Sequence, residues 1–168
     1  IKSKEPSTFL DISLGKLKGL NVHILGFVNS PGVYALHPFS DPFTALFYAG
    51  GVDTSGSLRN IEIYRDGKKV ESLDLYNIIF GGSLNKQIRL LDQDIIFVPP
   101  RKSKVIINGA VQTPGYFELI KSEKASDLIN YGGGLTPKAS SLITLKRVNS
   151  PYQRINDDLA IDFFLIPI

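Results

Sequence analysis

Cysteine is absent from all 168 residues, which removes disulfides, thiolate catalysis and cysteine metal sites together. That absence fits an extracytoplasmic setting, where an unpaired thiol is a liability. Histidine is nearly absent too: His23 and His37 are the whole set. His23 sits among apolar neighbours with no Asp or Ser placed to complete a triad. Two imidazoles without a ligand-spaced carboxylate cluster make no metal site. No apolar run reaches the roughly 18 residues that a membrane-spanning helix needs. The chain opens with neither an initiator methionine nor a signal-peptide pattern, so Ile1 is expected to be an internal cut from a longer protein.

Charge is also sparse. The formal excess is +3, and all of it lies in residues 101–168, where 9 Lys and Arg face 6 Asp and Glu. Arg101, Lys102 and Lys104 cluster there, without the density or aromatic interleaving of a nucleic-acid surface. They read as a solvated linker, and nucleic acid is excluded as a partner.

What the chain does contain is a repeat. Val22-His-Ile-Leu-Gly-Phe-Val-Asn-Ser-Pro-Gly-Val-Tyr-Ala-Leu36 returns 83 residues later as Val105-Ile-Ile-Asn-Gly-Ala-Val-Gln-Thr-Pro-Gly-Tyr-Phe-Glu-Leu119. Gly26, Pro31 and Gly32 fall on Gly109, Pro114 and Gly115, while Gly50 and Gly51 fall on Gly133 and Gly134. One register held over about thirty residues is a tandem duplication. Two domains of roughly 80 residues are near the lower size at which one core suffices. Nothing in the duplicated set is a nucleophile, an acid–base pair or a metal ligand; the set reads as structural turns.

Each repeat predicts the same order of elements. Val22 to Val28 is a short strand in which Gly26 marks a bulge or a close backbone approach. Asn29-Ser-Pro-Gly32 is a turn, with Gly32 and Gly115 expected at positive φ. Val33–Leu36 returns as a strand. Ser40 or Asp41 caps a helix that presents Phe43, Leu46 and Phe47 as its apolar face and stops at Gly50-Gly51. Asn60–Arg65 and Lys68–Leu73 form a hairpin about Asp66-Gly67. Asp74–Ile79 makes a helical turn or two, and Ile88–Leu91 and Ile95–Val98 are two closing β segments.

In the second repeat the expected strands are Val105–Val111, Tyr116–Ile120 and Leu142–Val148, with a helix at Ala125–Tyr131. The class is α+β: two tandem β-grasp domains, each a small sheet around one short helix. Residues 1–20 form an N-terminal segment, 21–100 the first domain and 101–168 the second. The run Ile161-Asp-Phe-Phe164 resembles Leu73-Asp-Leu-Tyr76. Aligning the two places the counterparts of the closing segments past Ile168, so the second domain is expected to be incomplete at its C-terminus. Phe163–Ile166 fills the vacant place itself, or a neighbouring molecule or downstream residues do; downstream residues are favoured.

The pattern Val-x-Ile-x-Gly-x-Val-x-x-Pro-Gly-x-Tyr/Phe-x-Leu, the helix ending in glycines and the closing Leu-x-Asp-x-Asp-x-Ile-x-Val-Pro resemble the SLBB domain, the soluble ligand-binding β-grasp. Tandem copies are similar to those of bacterial outer-membrane polysaccharide export proteins of the Wza type. That likeness covers Val22–Pro99 and Val105–Val148. It implies a periplasmic, outer-membrane-associated protein, lipid-anchored through an N-terminal cysteine. Such a protein places an export domain first and stacks its SLBB domains as layers of an oligomeric passage for capsule or exopolysaccharide. The anchor cysteine and the export domain are missing from this chain. Other settings of the domain include a vitamin-binding relative and a flavoprotein subunit of respiratory complex I.

The expected function is therefore a non-catalytic structural layer of a polysaccharide export complex, with other subunits and polysaccharide as partners and no cofactor. Its rival is a monomeric module that binds a soluble saccharide or other small ligand. Glycan recognition uses aromatic faces beside hydrogen-bonding groups, so the candidate contacts are Tyr48 and Tyr131, which share one repeat position, with Arg65 and Arg147. A hydrolase would need two carboxylates about 5–9 Å apart in a cleft. Asp92 and Asp94, the obvious acidic pair, read instead as turn caps.

Overall fold

A computed structural model describes residue 15 and residues 17–82, 88–148 and 161–167. Most of the expected N-terminal segment 1–20 lies outside them. The chain divides into two units, Ile1–Arg101 and Lys102–Ile168.

The first unit runs β1 (Leu20–Gly26), β2 (Gly32–Leu36), α1 (Pro42–Tyr48), β3 (Ile61–Arg65), β4 (Lys68–Leu73), α2 (Tyr76–Ile79) and β5 (Ile95–Val98). Its five strands lie in the order β2-β1-β5-β3-β4. Two antiparallel hairpins, β1–β2 and β3–β4, are joined by the last strand, which runs parallel to β1 and antiparallel to β3. This is the expected α+β β-grasp. The unbroken apolar run Ile95-Ile-Phe-Val98 suits a strand with neighbours on both edges. Val22, Ile24, Ile61, Ile63, Ile96 and Val98 are fully buried and pack with Ala45, Leu46 and Ala49 from the helix.

Three expectations are corrected in this unit. The glycines of the Pro-Gly turns, Gly32 and Gly115, do not have positive φ. Each begins a strand instead, paired to Ile24 and Ile107 respectively. The positive φ lies earlier, at Gly26 (φ 87°) and Gly109 (φ 92°). Val28 N–H donates to the Gly26 carbonyl at 3.0 Å, and Val111 N–H to that of Gly109 at 2.9 Å. Pro31 and Pro114 lead directly into the returning strands at Gly32 and Gly115.

The buried stripe of α1 is Pro42, Ala45 and Leu46, while Phe43 and Phe47 are 44% and 77% exposed. Small Ala45 and Ala49 let the helix approach the sheet, and the bulky rings are displaced outward. The Asp41 side chain caps the helix, accepting from Thr44 N–H at 2.7 Å. At the other end Gly50 and Gly51 N–H donate to Phe47 and Leu46 carbonyls, a Schellman ending.

Ile88–Leu91 is not a strand. Leu91 and Asp94 exchange hydrogen bonds instead: Asp94 N–H to the Leu91 carbonyl, and Leu91 N–H to the Asp94 carboxylate at 2.8 Å. A carboxylate that bonds a backbone N–H three residues back competes successfully with a ladder, and the chain turns sharply into β5.

The second unit runs β6 (Val105–Ile107), β7 (Gly115–Phe117), α3 (Ala125–Tyr131), β8 (Leu142–Val148) and β9 (Ile161–Pro167). Its helix and β8 stand where expected; β6 and β7 are shorter than expected. The loops repeat the first unit closely: Gln112 N–H bonds Gly134 as Asn29 bonds Gly51, and Thr113 N–H bonds Gly132 as Ser30 bonds Ala49. Ile161–Phe164 is not a counterpart of Leu73–Tyr76. It opens β9, which pairs with β8 along its whole length, standing to β8 in chain order as β4 stands to β3. Among the described residues, β6–β7 and β8–β9 remain two separate two-stranded sheets.

Candidate functional site

The four candidate contacts meet very different surroundings. Arg65, at the end of β3, reaches back to the acid that precedes β5. Its Nε and Nη2 each lie 2.8 Å from an Asp94 carboxylate oxygen, and Asp94 is wholly buried. This bidentate bond holds the guanidinium above its ordinary pKa and ties the hairpin to the central strand. Asp94 cannot then pair with Asp92 for acid–base work. Asp92 itself accepts Asn21 N–H at 2.8 Å, and that bond keeps its carboxyl below the usual range. Arg147, the repeat counterpart of Arg65, stands opposite Asp162 in the β8–β9 register and lies over the Phe164 ring at 5.6 Å.

The two tyrosines also diverge. Tyr131 is half-buried, stacks on Phe117 with centroids 6.3 Å apart and donates its hydroxyl to Glu123. Tyr48 is 62% exposed. It sits at the end of α1 beside Phe47, with Phe43 one turn back and exposed Phe39 ahead of the helix. The apolar face expected from Phe43, Leu46 and Phe47 is thus split, and the outward aromatic face is not read from the sequence. The signal was present: Pro42, Ala45, Leu46 and Ala49 also keep helical spacing, and two alanines permit close packing.

A second surface feature was also missed. On β3 and β4, Glu62 accepts from Lys69 Nζ at 2.7 Å, from Tyr64 Oη at 2.8 Å and from Asn60 Nδ2 at 3.3 Å. The Lys69 bond, then that of Tyr64, lowers the Glu62 pKa. Period-two alternation places these polar residues on one face of the hairpin, but gives no measure of how they meet. Among the described residues no three His, Asp or Glu side chains gather as a metal site requires, and no helix is long and apolar enough to cross a membrane.

The arrangement can present aromatic and polar surface to a partner, while Arg59 and Arg65 are spent on internal ties to Asp74 and Asp94. Two curated proteins, each the polysialic acid transport protein KpsD of Escherichia coli, are 31% identical to this chain over 111 residues, 66% of its length. The chain spans about a fifth of those relatives' own length. The SLBB domain matches twice, over residues 21–74 and 104–156. Each match falls within one of the two structural units and together they cover more than half of the chain, which therefore belongs to the SLBB domain family.

Proposed function

We propose that this chain is the tandem SLBB region of a periplasmic, outer-membrane-associated protein that exports a polysaccharide, and that it acts without catalysis as a structural layer of an oligomeric passage. The observation that carries the reading is the similarity to a polysialic acid transport protein across both units. The outward aromatic face of α1 supports it. Phe43, Phe47 and Tyr48 suit packing against a neighbouring subunit or the apolar face of a sugar ring, since aromatic side chains dominate contact energetics at such surfaces. The low-pKa carboxylates Glu62 and Asp92 remain ionised near neutral pH and cannot serve as a general acid there.

Residues 1–168 alone should be monomeric or weakly associated, because ring contacts of this kind add up only over many linked domains. Disrupting the gene in its host tests the reading. Loss of surface polysaccharide with polymer retained inside the cell is the expected result. Unchanged surface polysaccharide, together with micromolar binding of a defined sugar by monomeric protein in calorimetry, would establish the binding-module rival instead.

A further inference from the structure

The two units repeat one scaffold, so a difference in charge at matched positions does not come from the fold. The loop hydrogen bonds hold the offset of 83 residues well past the helix. Ser40 N–H bonds His37 as Glu123 bonds Ile120, Asp53 bonds Phe27 as Thr136 bonds Ala110, and Gly56 bonds Asp53 as Ala139 bonds Thr136. Within this matched stretch, residues 19–56 carry Asp41 and Asp53 with no Lys or Arg, a net −2. Residues 102–139 carry five lysines against three acids, a net +2.

Placement sharpens the contrast. Lys102, Lys104, Lys121, Lys124 and Lys138 are all exposed. The acids are turned toward the chain itself. Glu118 is buried, Glu123 accepts the Ile120 N–H at 2.9 Å and the Tyr131 hydroxyl, and Asp127 accepts the Lys124 N–H at 2.8 Å. Four of the lysines gather at the end of the β6–β7 hairpin away from Gly109. Lys102 and Lys104 flank Ser103, whose hydroxyl donates to the Leu119 carbonyl. Lys121 follows two residues on, and Lys124 stands just past the turn that Glu123 N–H closes on Ile120. Lys104 Nζ lies 4.0 Å from the centre of the exposed Tyr116 ring, an attraction that holds the ammonium in place. The first unit has Gly19, Asn21, Pro38 and Asp41 in these four places. Local stability does not account for the exchange at Lys124, because Asp is a favoured helix cap and a cation at a helix start opposes the dipole.

We infer that this lysine cluster is a contact surface for an acidic polysaccharide, one whose sugar rings carry carboxylate, sulfate or phosphate groups, with no counterpart at the matched positions of the first unit. That the partner is a glycan rests on the export reading; that it is an anion rests on charge alone. Lysine suits passage better than capture. Its ammonium is a compact, hydrated charge on a flexible stem, without the fixed fork of arginine. Each contact is therefore weak and screened by salt. Several such contacts hold a polymer of repeating charge by their sum, while each can break in turn.

The test titrates the whole 168-residue chain with alginate, a polymer of carboxylated sugars, and with neutral dextran of equal length, following backbone amide signals by NMR. Alginate at low salt should displace the signals of 102–104 and 119–124, and dextran should displace none. Alginate affinity should fall about tenfold or more between about 50 mM and about 200 mM salt. Lys104→Asn combined with Lys124→Asp gives the second unit the residues that the first carries there. It should keep the amide spectrum of the folded chain and weaken alginate binding about tenfold. Equal displacement by dextran, displacement centred on 20–36, or none by alginate would overturn the inference. So would tighter binding to phosphatidylglycerol vesicles than to alginate, which would make the cluster a membrane contact. Loss of surface polysaccharide on gene disruption, without alginate binding, would sink this inference and leave the export reading standing. Alginate binding at the cluster with surface polysaccharide unchanged would do the reverse.

Discussion

At the scale of single residues, Gly26 and Gly109 share a sequence position and a left-handed φ but differ in what surrounds them. Alanine at either pays the conformational penalty of about 1–2 kcal/mol. At Gly26 the methyl also collides with backbone that cannot move without breaking the β1–β5 ladder. Gly26→Ala should therefore destabilise its unit by roughly 3 kcal/mol or more, and Gly109→Ala by only about 1–2 kcal/mol. Urea unfolding followed by hydrogen exchange resolves the two units separately.

Acid sensitivity belongs to the same scale. Glu62, lowered first by the Lys69 hydrogen bond, and Asp92, lowered first by the Asn21 N–H, both have depressed folded pKa values. A depressed folded pKa contributes stability that is present above the unfolded carboxylate value and is lost as pH falls through the folded one. Thermal stability should thus hold from neutral pH down to about 4–5 and decline below it. Glu62→Gln should lower the neutral plateau slightly and flatten the decline, as melting curves between pH 7 and pH 3 will show.

At the scale of elements, α1 separates local from tertiary causes. Its start is set by the Asp41 side chain and its end by Gly50 and Gly51. Asp41→Ala should cost about 1 kcal/mol. Phe47→Ser, on the 77% exposed side, should leave the melting temperature within experimental scatter, since surface changes usually fall within about 0.5 kcal/mol. A clear loss of stability in Phe47→Ser would mean that the aromatic face is covered within the chain. The Asp66-Gly67 hairpin was legible because both residues take positive φ, at 51° and 73°, a local preference of that dipeptide. Ile88–Leu91 was not legible as a turn, because its alternative to a strand depends on the Asp94 carboxylate being fixed by Arg65, 29 residues away.

At the scale of the whole molecule, the two units should not melt together. The first has a contiguous core that includes six fully buried aliphatic residues on three strands, and apolar burial is the main favourable term in folding. In the second unit Val111 and Phe117 are the buried hydrophobics among the described residues. Hydrogen exchange during heating should show 102–148 opening first and the β1, β3 and β5 amides last. A single cooperative transition for both would contradict this.

From sequence alone the duplication, the α+β class, the helix at Ala125–Tyr131, the β3–β4 hairpin and the family were readable, because each rests on local preference or on a repeated spacing. Tertiary structure decided the rest. It made Arg65 an internal tie and left Tyr48 exposed while its repeat partner Tyr131 stacks on Phe117. It turned two phenylalanines outward and placed the left-handed glycine at Gly26 rather than at Gly32. Those outcomes depend on which distant strand lies alongside. The physical reason is that burial and ion pairing are set by neighbours across the sheet, whereas spacing along the chain records only which residues could face them.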